Sequence, residues 1–257
     1  MAKVRAKKHL GQHFLTNEGI AKDIVELILP EGRYKKVLEI GPGMGVLTKY
    51  LLERDDMETH VVELDGESVV YLNEHFPALK GRVYNEDVLN MWLTKELALE
   101  ENEKIGVIGN FPYNISSQIF FKVLQDKDIV DEVVCMLQKE VAERIASKPG
   151  SKKYGILSVL LQAYYDIDYH IDVPPISFDP PPKVDSGVIR LVRNKNLTLD
   201  CDEKKFFTVV KTGFNQRRKM LSNALKPMGI DFEHPNLQKR AEQLTYQEFV
   251  ELTNLIS

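Results

Sequence analysis

The 257-residue sequence is poor in cysteine and has no long uncharged apolar run. Its two cysteines, Cys135 and Cys201, cannot build a disulfide framework, and neither has a second cysteine or a histidine at metal-ligand spacing. The longest stretch without Asp, Glu, Lys or Arg, residues 105–121, is interrupted by glycine, asparagine and proline, which argues against a membrane span. The basic N-terminus lacks the apolar segment of a secretory signal. We therefore expect a globular protein of a reducing compartment, cytoplasmic and without a metal.

The sequence also lacks a strong excess of charge, since its net charge is only −4. This argues against a protein that coats nucleic acid without specificity. The cations are nevertheless segregated: residues 1–10 and 211–221 together carry eight positive charges and no acid, which leaves the rest of the chain at −12. A solvated surface is the alternative for either segment alone, but together they favour one face that meets a nucleic acid. The side chains predicted to contact the nucleic acid are Lys3, Arg5, Lys7, Lys8, Arg144, Lys183, Arg217, Arg218 and Lys219.

Short strand-like runs alternate with helical patterns along most of the chain. The predicted strands are 36–40, 60–64, 82–84, 105–108, 132–137, 168–173 and 187–192, and the helices between them are 44–53, 67–76, 117–124 and 139–146. This alternation predicts an α/β protein with a mostly parallel sheet between layers of helices. From residue 202 onward the pattern is helical and ends with a capping box, Thr245 and Glu248. A polar segment at 193–200 marks the predicted boundary.

A glycine-rich loop, Gly-Pro-Gly-Met-Gly at 41–45, directly follows the first of these strands. Glycine lets the main chain turn tightly and approach a ligand, so we expect Gly41 and Gly43 to line a binding site. A dinucleotide fingerprint requires G-x-G-x-x-G, but here the third glycine comes one position early and Pro42 removes an amide donor. The loop favours a nucleoside-bearing ligand over a pyrophosphate, and a simple tight turn is the alternative.

Acids follow the next two strands. Glu63 comes 22 residues after Gly41, where a carboxylate can accept both hydroxyls of a ribose. Asp65 competes for this role, and a solvated acid at a strand end is the alternative for both. Asp87 follows the third strand and can accept from an exocyclic amine, with the next main-chain N–H meeting a ring nitrogen, although taken alone it fits a turn residue better.

The segment Asn110-Phe111-Pro112-Tyr113 follows the fourth strand and suits the alkylation of a conjugated amine. The side-chain oxygen of Asn110 and the carbonyl of Phe111 can each accept one hydrogen of an adenine amino group, which turns the nitrogen lone pair towards an electrophile. Tyr113 offers a stacking surface, and Pro112 keeps the turn rigid. An Asn-Pro turn beside core aromatics is the alternative, and it is the weaker interpretation once the preceding loop and acids are counted.

The chain resembles the ribosomal RNA adenine dimethyltransferases of the KsgA (RsmA) type over nearly its whole length. The resemblance rests on six ordered segments: 10–15 (LGQHFL), 39–43 (EIGPG), 110–116 (NFPYNIS), 137–141 (LQKEV), 178–186 (FDPPPKVDS) and 214–219 (FNQRRK). Two positions depart from the family pattern. His13 stands where the family more often has Asn, and Phe111 stands where it more often has an aliphatic residue.

The resemblance implies a Rossmann-like class I methyltransferase fold with a seven-stranded sheet and a small all-helical C-terminal domain. We expect a basic arm over 1–17 that contributes to the cofactor site, a methyltransferase domain over 18–195 and a helical domain over 196–257. The implied donor is S-adenosylmethionine, without a metal. The implied donor-binding residues are His13, Leu15, Gly41, Glu63, Asp87 and Asn110.

The resemblance further implies a substrate, two adjacent adenosines in the loop of the hairpin near the 3′ end of small-subunit ribosomal RNA, each methylated twice at N6. The implied setting is the immature 30S subunit, with the enzyme acting as a monomer and aiding subunit biogenesis. A 23S ribosomal RNA methyltransferase of the antibiotic-resistance type and a catalytically silent assembly factor are the alternatives. An NAD-linked oxidoreductase would leave 110–113 unexplained.

Overall fold

The computed structural model describes residues 4–7, 10–196, 198–230 and 232–256. Its contacts divide the chain into two compact units, residues 1–142 with 168–193 and residues 143–167 with 194–257. The second unit thus includes 143–167, a segment that the sequence-based division assigns to the larger domain, and that division stays a prediction. Within the described residues, no helix combines the length and the apolar character needed to cross a membrane.

The strands of the described chain form two sheets. In chain order they are β1 (Phe14–Leu15), β2 (Lys36–Ile40), β3 (Glu58–Val62), β4 (Val83–Tyr84), β5 (Ile105–Asn110), β6 (Val130–Gln138), β7 (Tyr165–Val173), β8 (Phe178–Asp179) and β9 (Ser186–Arg193). Strands β1 and β8 pair antiparallel with each other, which the sequence patterns do not predict. The other seven form the main sheet, in the order β4-β3-β2-β5-β6-β9-β7.

The order of the main sheet reverses between β2 and β5, its central strands. Strand β2 is parallel to both β3 and β5, β3 to β4 and β5 to β6, whereas β6 and β9 are antiparallel. The predicted seven-stranded, mostly parallel sheet is therefore confirmed. In doubly wound folds the ligand crevice opens at the carboxyl ends of the strands where the order reverses. Here β2 and β5 approach so closely that a Cβ on Gly109 would lie 2.4 Å from the Ile40 carbonyl oxygen.

Ten α-helices complete the described chain: α1 (Glu18–Glu26), α2 (Thr48–Leu51), α3 (Gly66–His75), α4 (Leu93–Glu96), α5 (Ser116–Gln125), α6 (Lys139–Ala146), α7 (Ile156–Gln162), α8 (Glu203–Asn215), α9 (Leu221–Ala224) and α10 (Tyr246–Leu255). Asn17 caps α1 by accepting from the Ile20 N–H at 3.1 Å. The capping box at Thr245 and Glu248 is confirmed at the start of α10. The prediction of a helix over 44–53 is wrong at its start, since Gly45 has φ +80° and the helix begins only at Thr48.

The core of the first unit packs α1 and α2 against the main sheet through buried aliphatic side chains. At the amino end of β6, far along the strand from the ligand crevice, Glu132 is fully buried. Its carboxylate accepts from the Arg33 guanidinium at 2.9 Å, from the Tyr34 hydroxyl at 2.7 Å and from Arg190 Nε at 2.6 Å. Burial raises the pKa of Tyr34, so its phenol stays a donor. Two cations and a hydroxyl thus compensate one buried charge and fix this end of the sheet.

The second unit is built from short helical pieces around an aromatic core. Asp202 caps α8 by accepting from the Lys205 N–H at 2.9 Å. The ring of Phe214 on α8 lies 6.1 Å from that of Phe249 on α10 and 6.3 Å from that of Tyr154. The prediction of a helical C-terminal region is confirmed, and a β-bridge between Met220 and Arg240 is added to it.

Candidate active site

A cavity of about 290 Å³ opens at the carboxyl ends of β2, β3 and β5, at the reversal of strand order. The structure places every residue of the predicted donor and catalytic sets on its wall. These are His13, Leu15, Gly41, Gly43, Glu63, Asp87, Asn110, Phe111, Pro112 and Tyr113. The sequence predictions thus converge on one cavity, although what each residue does to a ligand stays a prediction.

The glycine loop brings its main chain to the cavity in a conformation that larger residues resist. Gly41 has φ +67°, and its N–H donates to the Val62 carbonyl at 3.0 Å. Gly43 has φ +56°, and a Cβ there would lie 2.7 Å from the ring of Phe14. Both positions therefore need glycine. Gly41 needs it for its positive φ, and Gly43 needs it both for its positive φ and for its close packing against Phe14 of β1.

Glu63 lies at the end of β3, and each of its carboxylate oxygens accepts a hydrogen bond from a main-chain N–H. Oε2 accepts from the Gly43 N–H at 3.0 Å and Oε1 from the Asp65 N–H at 2.9 Å. Burial raises the pKa of Glu63, and these main-chain hydrogen bonds act against that shift. Each oxygen keeps acceptor capacity for a further donor. Two ligand hydroxyls on neighbouring carbons match this arrangement.

Asp65, the competing acid, is occupied within the fold. Its carboxylate caps α3 by accepting from the Glu67 N–H at 3.2 Å, and it also accepts from the Ser68 hydroxyl at 2.9 Å. It forms an ion pair with Lys7 as well, which lowers the pKa of Asp65 against the effect of its burial. The geometry thus favours Glu63 over Asp65 as the acid that faces a ligand.

Asp87 serves the turn after β4 and also lines the cavity. Oδ1 accepts from the Leu89 N–H at 2.9 Å and Oδ2 from Asn90 Nδ2 at 3.1 Å, so the interpretation of Asp87 as a turn residue is correct as far as it goes. The cavity wall beside the two acids includes Leu64 and Val88, whose apolar side chains had no predicted role. Their signal was present, because each directly follows an acid at a strand end.

Asn110 ends β5, and its carboxamide is oriented by a main-chain group. Nδ2 donates to the carbonyl oxygen of His13 at 2.9 Å. Because a carbonyl oxygen only accepts, this contact identifies the amide nitrogen and leaves Oδ1 on the other side of the group. The next residue, Phe111, is fully buried, and its N–H donates to the Met136 carbonyl at 2.9 Å. The main chain that carries the second predicted acceptor is therefore held by β6.

Tyr113 is half-buried and held at two points. Its hydroxyl shares a short hydrogen bond with the Ser186 hydroxyl at the start of β9. Its ring stacks on the imidazole of His13, with centroids 5.5 Å apart and planes at 26°. Burial raises the pKa of Tyr113, so the phenol is neutral at physiological pH. A neutral, fixed aromatic ring suits the stacking of a base.

Glu39 is a cavity residue to which the sequence argument gave no role. It is fully buried on β2 and accepts from the Thr48 hydroxyl at 2.6 Å. Burial raises the pKa of Glu39 to about 8, and the nearby charge of Glu63 adds to the effect. The side chain is therefore mostly protonated at neutral pH. The sequence did contain a signal for this residue, because Glu39 is the one acid in the otherwise apolar end of the strand Lys36–Ile40.

The predicted RNA-binding side chains differ in their surroundings. Lys3 and Lys8 lie outside the described residues. Arg5, Lys183, Arg218 and Lys219 are exposed, as is Arg144. Two others are engaged by acids of the chain itself, which the sequence did not foresee: Lys7 pairs with Asp65 and Glu67, and Arg217 pairs with Glu242. The charge of these two cations is therefore partly compensated within the fold.

Solved structures of similar fold place the chain in a class. A dimethyladenosine transferase from Plasmodium falciparum superposes with a TM-score of 0.73 at 24% identity, covering 93% of this chain and 96% of the other. The 23S rRNA methyltransferase ErmE superposes with a TM-score of 0.67 at 23% identity, covering 94% and 99%. Together with the doubly wound sheet and the cavity at its reversal point, they define a Rossmann-like class I methyltransferase fold.

Sequence comparison gives the family. The profile of the ribosomal RNA adenine dimethylase family matches residues 3–257. A ribosomal RNA small subunit methyltransferase A from Cytophaga hutchinsonii is 57% identical over 260 residues, which cover all of this chain and 99% of the relative. The protein of the same name from Flavobacterium johnsoniae is 52% identical, over all of this chain and 97% of the relative. The chain belongs to the ribosomal RNA adenine dimethylase family, and the resemblance found in its sequence is confirmed.

Proposed function

We propose that this protein transfers methyl groups from S-adenosylmethionine to N6 of two adjacent adenosines in the loop of the 3′-terminal hairpin of small-subunit ribosomal RNA, twice at each. The family match and the two relatives named as small-subunit methyltransferases support the RNA and the reaction. The immature 30S subunit as the form recognised, a monomeric enzyme and a cytoplasmic location belong to the same proposal.

The orientation of Asn110 is the observation that carries the proposal. The His13 carbonyl engages Nδ2, so Oδ1 is the atom left to accept a hydrogen from an adenine amino group. The carbonyl of Phe111, on the adjacent peptide, is the second acceptor. Two acceptors on neighbouring residues can hold both N6 hydrogens out of the ring plane. The nitrogen then becomes more pyramidal, and its lone pair points at the methyl donor.

The opposite part of the cavity fits the nucleoside end of the donor. Glu63 has acceptor capacity for two ribose hydroxyls, and Leu64 and Val88 provide apolar surface for a base. The main chain of the glycine loop runs past the cavity, with Gly41 and Gly43 free of side chains that would fill it. Asp87 retains acceptor capacity for an exocyclic amine. Residues from both predicted sets thus line one continuous space.

The chain's own residues supply orientation rather than acid–base chemistry. The sulfonium donor brings an activated methyl group, and the nucleophile is a neutral amine, so no base is required before attack. Holding two reactants in line is itself worth several kcal/mol of barrier, on the order of 7–11 in well-oriented cases. Tyr113 adds base stacking of roughly 1–3 kcal/mol. As the bond from N6 to the methyl carbon forms, the carbon–sulfur bond breaks and its electron pair stays on sulfur, which leaves the neutral thioether S-adenosylhomocysteine. The N6 proton is then lost to water.

Double methylation places a demand on the two acceptors. After the first transfer N6 carries one hydrogen, so only one of Asn110 Oδ1 and Phe111 O keeps a partner. The Asn110 carboxamide gives way by breaking one hydrogen bond, from Nδ2 to the His13 carbonyl, whereas the main chain at Phe111 is held in the sheet by its N–H, which donates to the Met136 carbonyl. We infer that the main-chain acceptor retains the remaining hydrogen and that the carboxamide yields to the methyl group.

The proposal is tested on small subunits from a bacterial strain that lacks this modification. The full-length protein and S-adenosylmethionine are added, and the modified nucleotides are mapped by mass spectrometry of RNA fragments. We expect two adjacent N6-dimethyladenosines in the 3′-terminal hairpin loop and none in 23S RNA from large subunits assayed in parallel. Modification of 23S RNA alone, or no methyl transfer to either RNA, would overturn the proposal.

A further inference from the structure

His13 entered the predicted donor-binding set by resemblance, and the structure shows its side chain in contact with Pro180 and Tyr113. It precedes β1, whose register pairs Phe14 with Asp179 on β8. Continuing that register by one residue brings His13 opposite Pro180. The two residues do form a hydrogen bond, in which imidazole Nδ1 lies 2.7 Å from the Pro180 carbonyl oxygen. Because that oxygen only accepts, Nδ1 carries the hydrogen and donates it.

The same residue touches both parts of the acceptor segment. Its ring stacks on Tyr113, and its main-chain carbonyl accepts from Asn110 Nδ2. His13 thus links two distant parts of the chain: the segment 110–113, through the carboxamide at the end of β5 and the aromatic ring that follows it, and the proline loop after β8. None of these three contacts involves the glycine loop, Glu63 or Asp87.

Tyr113 is consequently braced from two directions. The imidazole holds its ring face, and the Ser186 hydroxyl holds its phenol oxygen. Pro180 begins the loop 180–185 between β8 and β9, and Ser186 begins β9 directly after it. His13 thus binds one end of this loop, and Tyr113 binds the residue that follows its other end. The orientation of the Tyr113 ring and the position of this loop are therefore coupled through His13.

We propose that the His13 imidazole is a positioning residue for the target adenine, acting through Tyr113 and the loop 180–185. The inference rests on the proposed function, since it assigns a role within adenine methylation. A correctly held Tyr113 ring sets the plane of the stacked base and hence the direction of its N6 lone pair. A displaced ring lets RNA bind but misaligns the transfer.

The test compares His13→Ala, His13→Asn and His13→Phe in the full-length protein. Single-turnover methyl transfer to unmodified small subunits gives the rate of the step, and calorimetry with S-adenosylmethionine gives the donor dissociation constant. For His13→Ala we expect a rate loss of about 10- to 100-fold with donor affinity changed by less than about threefold. Asn can still donate to Pro180 and Phe can still stack on Tyr113, so each should recover part of the rate.

Ser186→Ala provides a second, independent arm because it removes the other brace of Tyr113. If both residues act through that ring, the double variant His13→Ala/Ser186→Ala should lose much less than the product of the two single losses. Multiplicative losses, or a donor dissociation constant raised tenfold or more in His13→Ala with the saturated rate unchanged, would overturn the inference. Failure of the proposed function would be seen separately, as wild-type protein that does not methylate the RNA.

Discussion

The carboxamide nitrogen of Asn110 lies 2.9 Å from the main-chain carbonyl oxygen of His13, 97 residues earlier in the chain. This contact decides which end of the carboxamide faces the cavity. A side chain that can rotate through two nearly equal orientations becomes a fixed acceptor, because only its nitrogen can satisfy the carbonyl. The N-terminal segment thereby takes part in the chemistry at the end of β5, even though its own residues need not touch the reacting atoms.

Asn110→Ala should slow methyl transfer by about 100- to 1,000-fold, the usual effect of removing one preorganised polar group at a reacting centre. Donor affinity should fall by a smaller factor, since Glu63 and the glycine loop are untouched. The measurement is a single-turnover rate with saturating donor. Asn73→Ala, an exposed asparagine on α3, is the matched control and should keep the wild-type rate. A near-normal rate in Asn110→Ala would remove this residue from the mechanism.

Glu63→Gln should weaken donor binding by roughly 10- to 100-fold, the range expected when a charged acceptor of two or more hydrogen bonds is removed. The variant keeps the size of the side chain but turns one acceptor into a donor, which faces either the Gly43 N–H or the Asp65 N–H. Calorimetric titration with S-adenosylmethionine gives the dissociation constant. Glu67→Gln, an exposed acid on α3, serves as the control. Equal affinities for Glu63→Gln and wild type would contradict the assignment of the ribose to Glu63.

Glu39 predicts a pH dependence of stability with a definite sign. Its pKa is about 8 in the folded protein because of burial, against an ordinary value of 4.5. Between pH 4.5 and pH 8, Glu39 is protonated in the folded state but ionised in the unfolded state. The free energy of unfolding therefore falls as the pH rises from 5 to 8. At pH 7 this amounts to a cost on the order of 3 kcal/mol relative to a group that stays neutral.

Glu39→Gln should remove this cost, because glutamine is neutral throughout and can still accept from Thr48. Urea unfolding at pH 5 and pH 8 provides the comparison. We expect the variant to gain stability over wild type at pH 8 by roughly 2–4 kcal/mol and little at pH 5. Glu53→Gln, an exposed acid, controls for the general loss of negative charge. Parallel behaviour of the Glu39→Gln and Glu53→Gln proteins would show that Glu39 is not held protonated.

Arg218 and Lys219 are the clearest of the predicted phosphate-binding residues, because both are exposed. Replacing both by Ala should reduce the slope of log K against log salt for RNA binding by about 1.4–1.8, near 0.7–0.9 for each phosphate that is no longer neutralised. Binding of labelled hairpin RNA over a salt series gives the slopes. Lys22→Ala on α1 removes an exposed lysine outside the predicted set. If the double variant and Lys22→Ala kept the same slope as wild type, Arg218 and Lys219 would be solvated surface.

Much of the site was predictable because its residues follow strands in order. Parallel strands end at one edge of a sheet, so Gly41, Glu63, Asp87 and Asn110 had to lie near one another once the alternation was recognised. Pairings across long sequence separations gave no comparable signal. Strands β1 and β8 are two dipeptides whose first residues are 164 positions apart. Neither is long enough to show an alternating pattern, so the sequence gives no sign that they pair.

Charge patterning predicted less than strand order did. A run of cations shows that positive charge is present, but it does not show which acids the fold brings beside it. Lys7 meets Asp65 and Arg217 meets Glu242, and in both cases the partner lies far away in sequence. The predicted range of α2 is too long for a local reason. The apolar spacing of 44–53 is helical, but the positive φ of Gly45 is incompatible with a helix there.

The most direct measurement is a crystal structure of the protein with S-adenosylhomocysteine and an adenosine-containing oligonucleotide from the hairpin loop. It should show the adenine stacked on Tyr113, with N6 within about 3.2 Å of both Asn110 Oδ1 and Phe111 O. Asn110 Nδ2 should remain on the His13 carbonyl. An adenine whose N6 lies beyond hydrogen-bond reach of both oxygens would contradict the account.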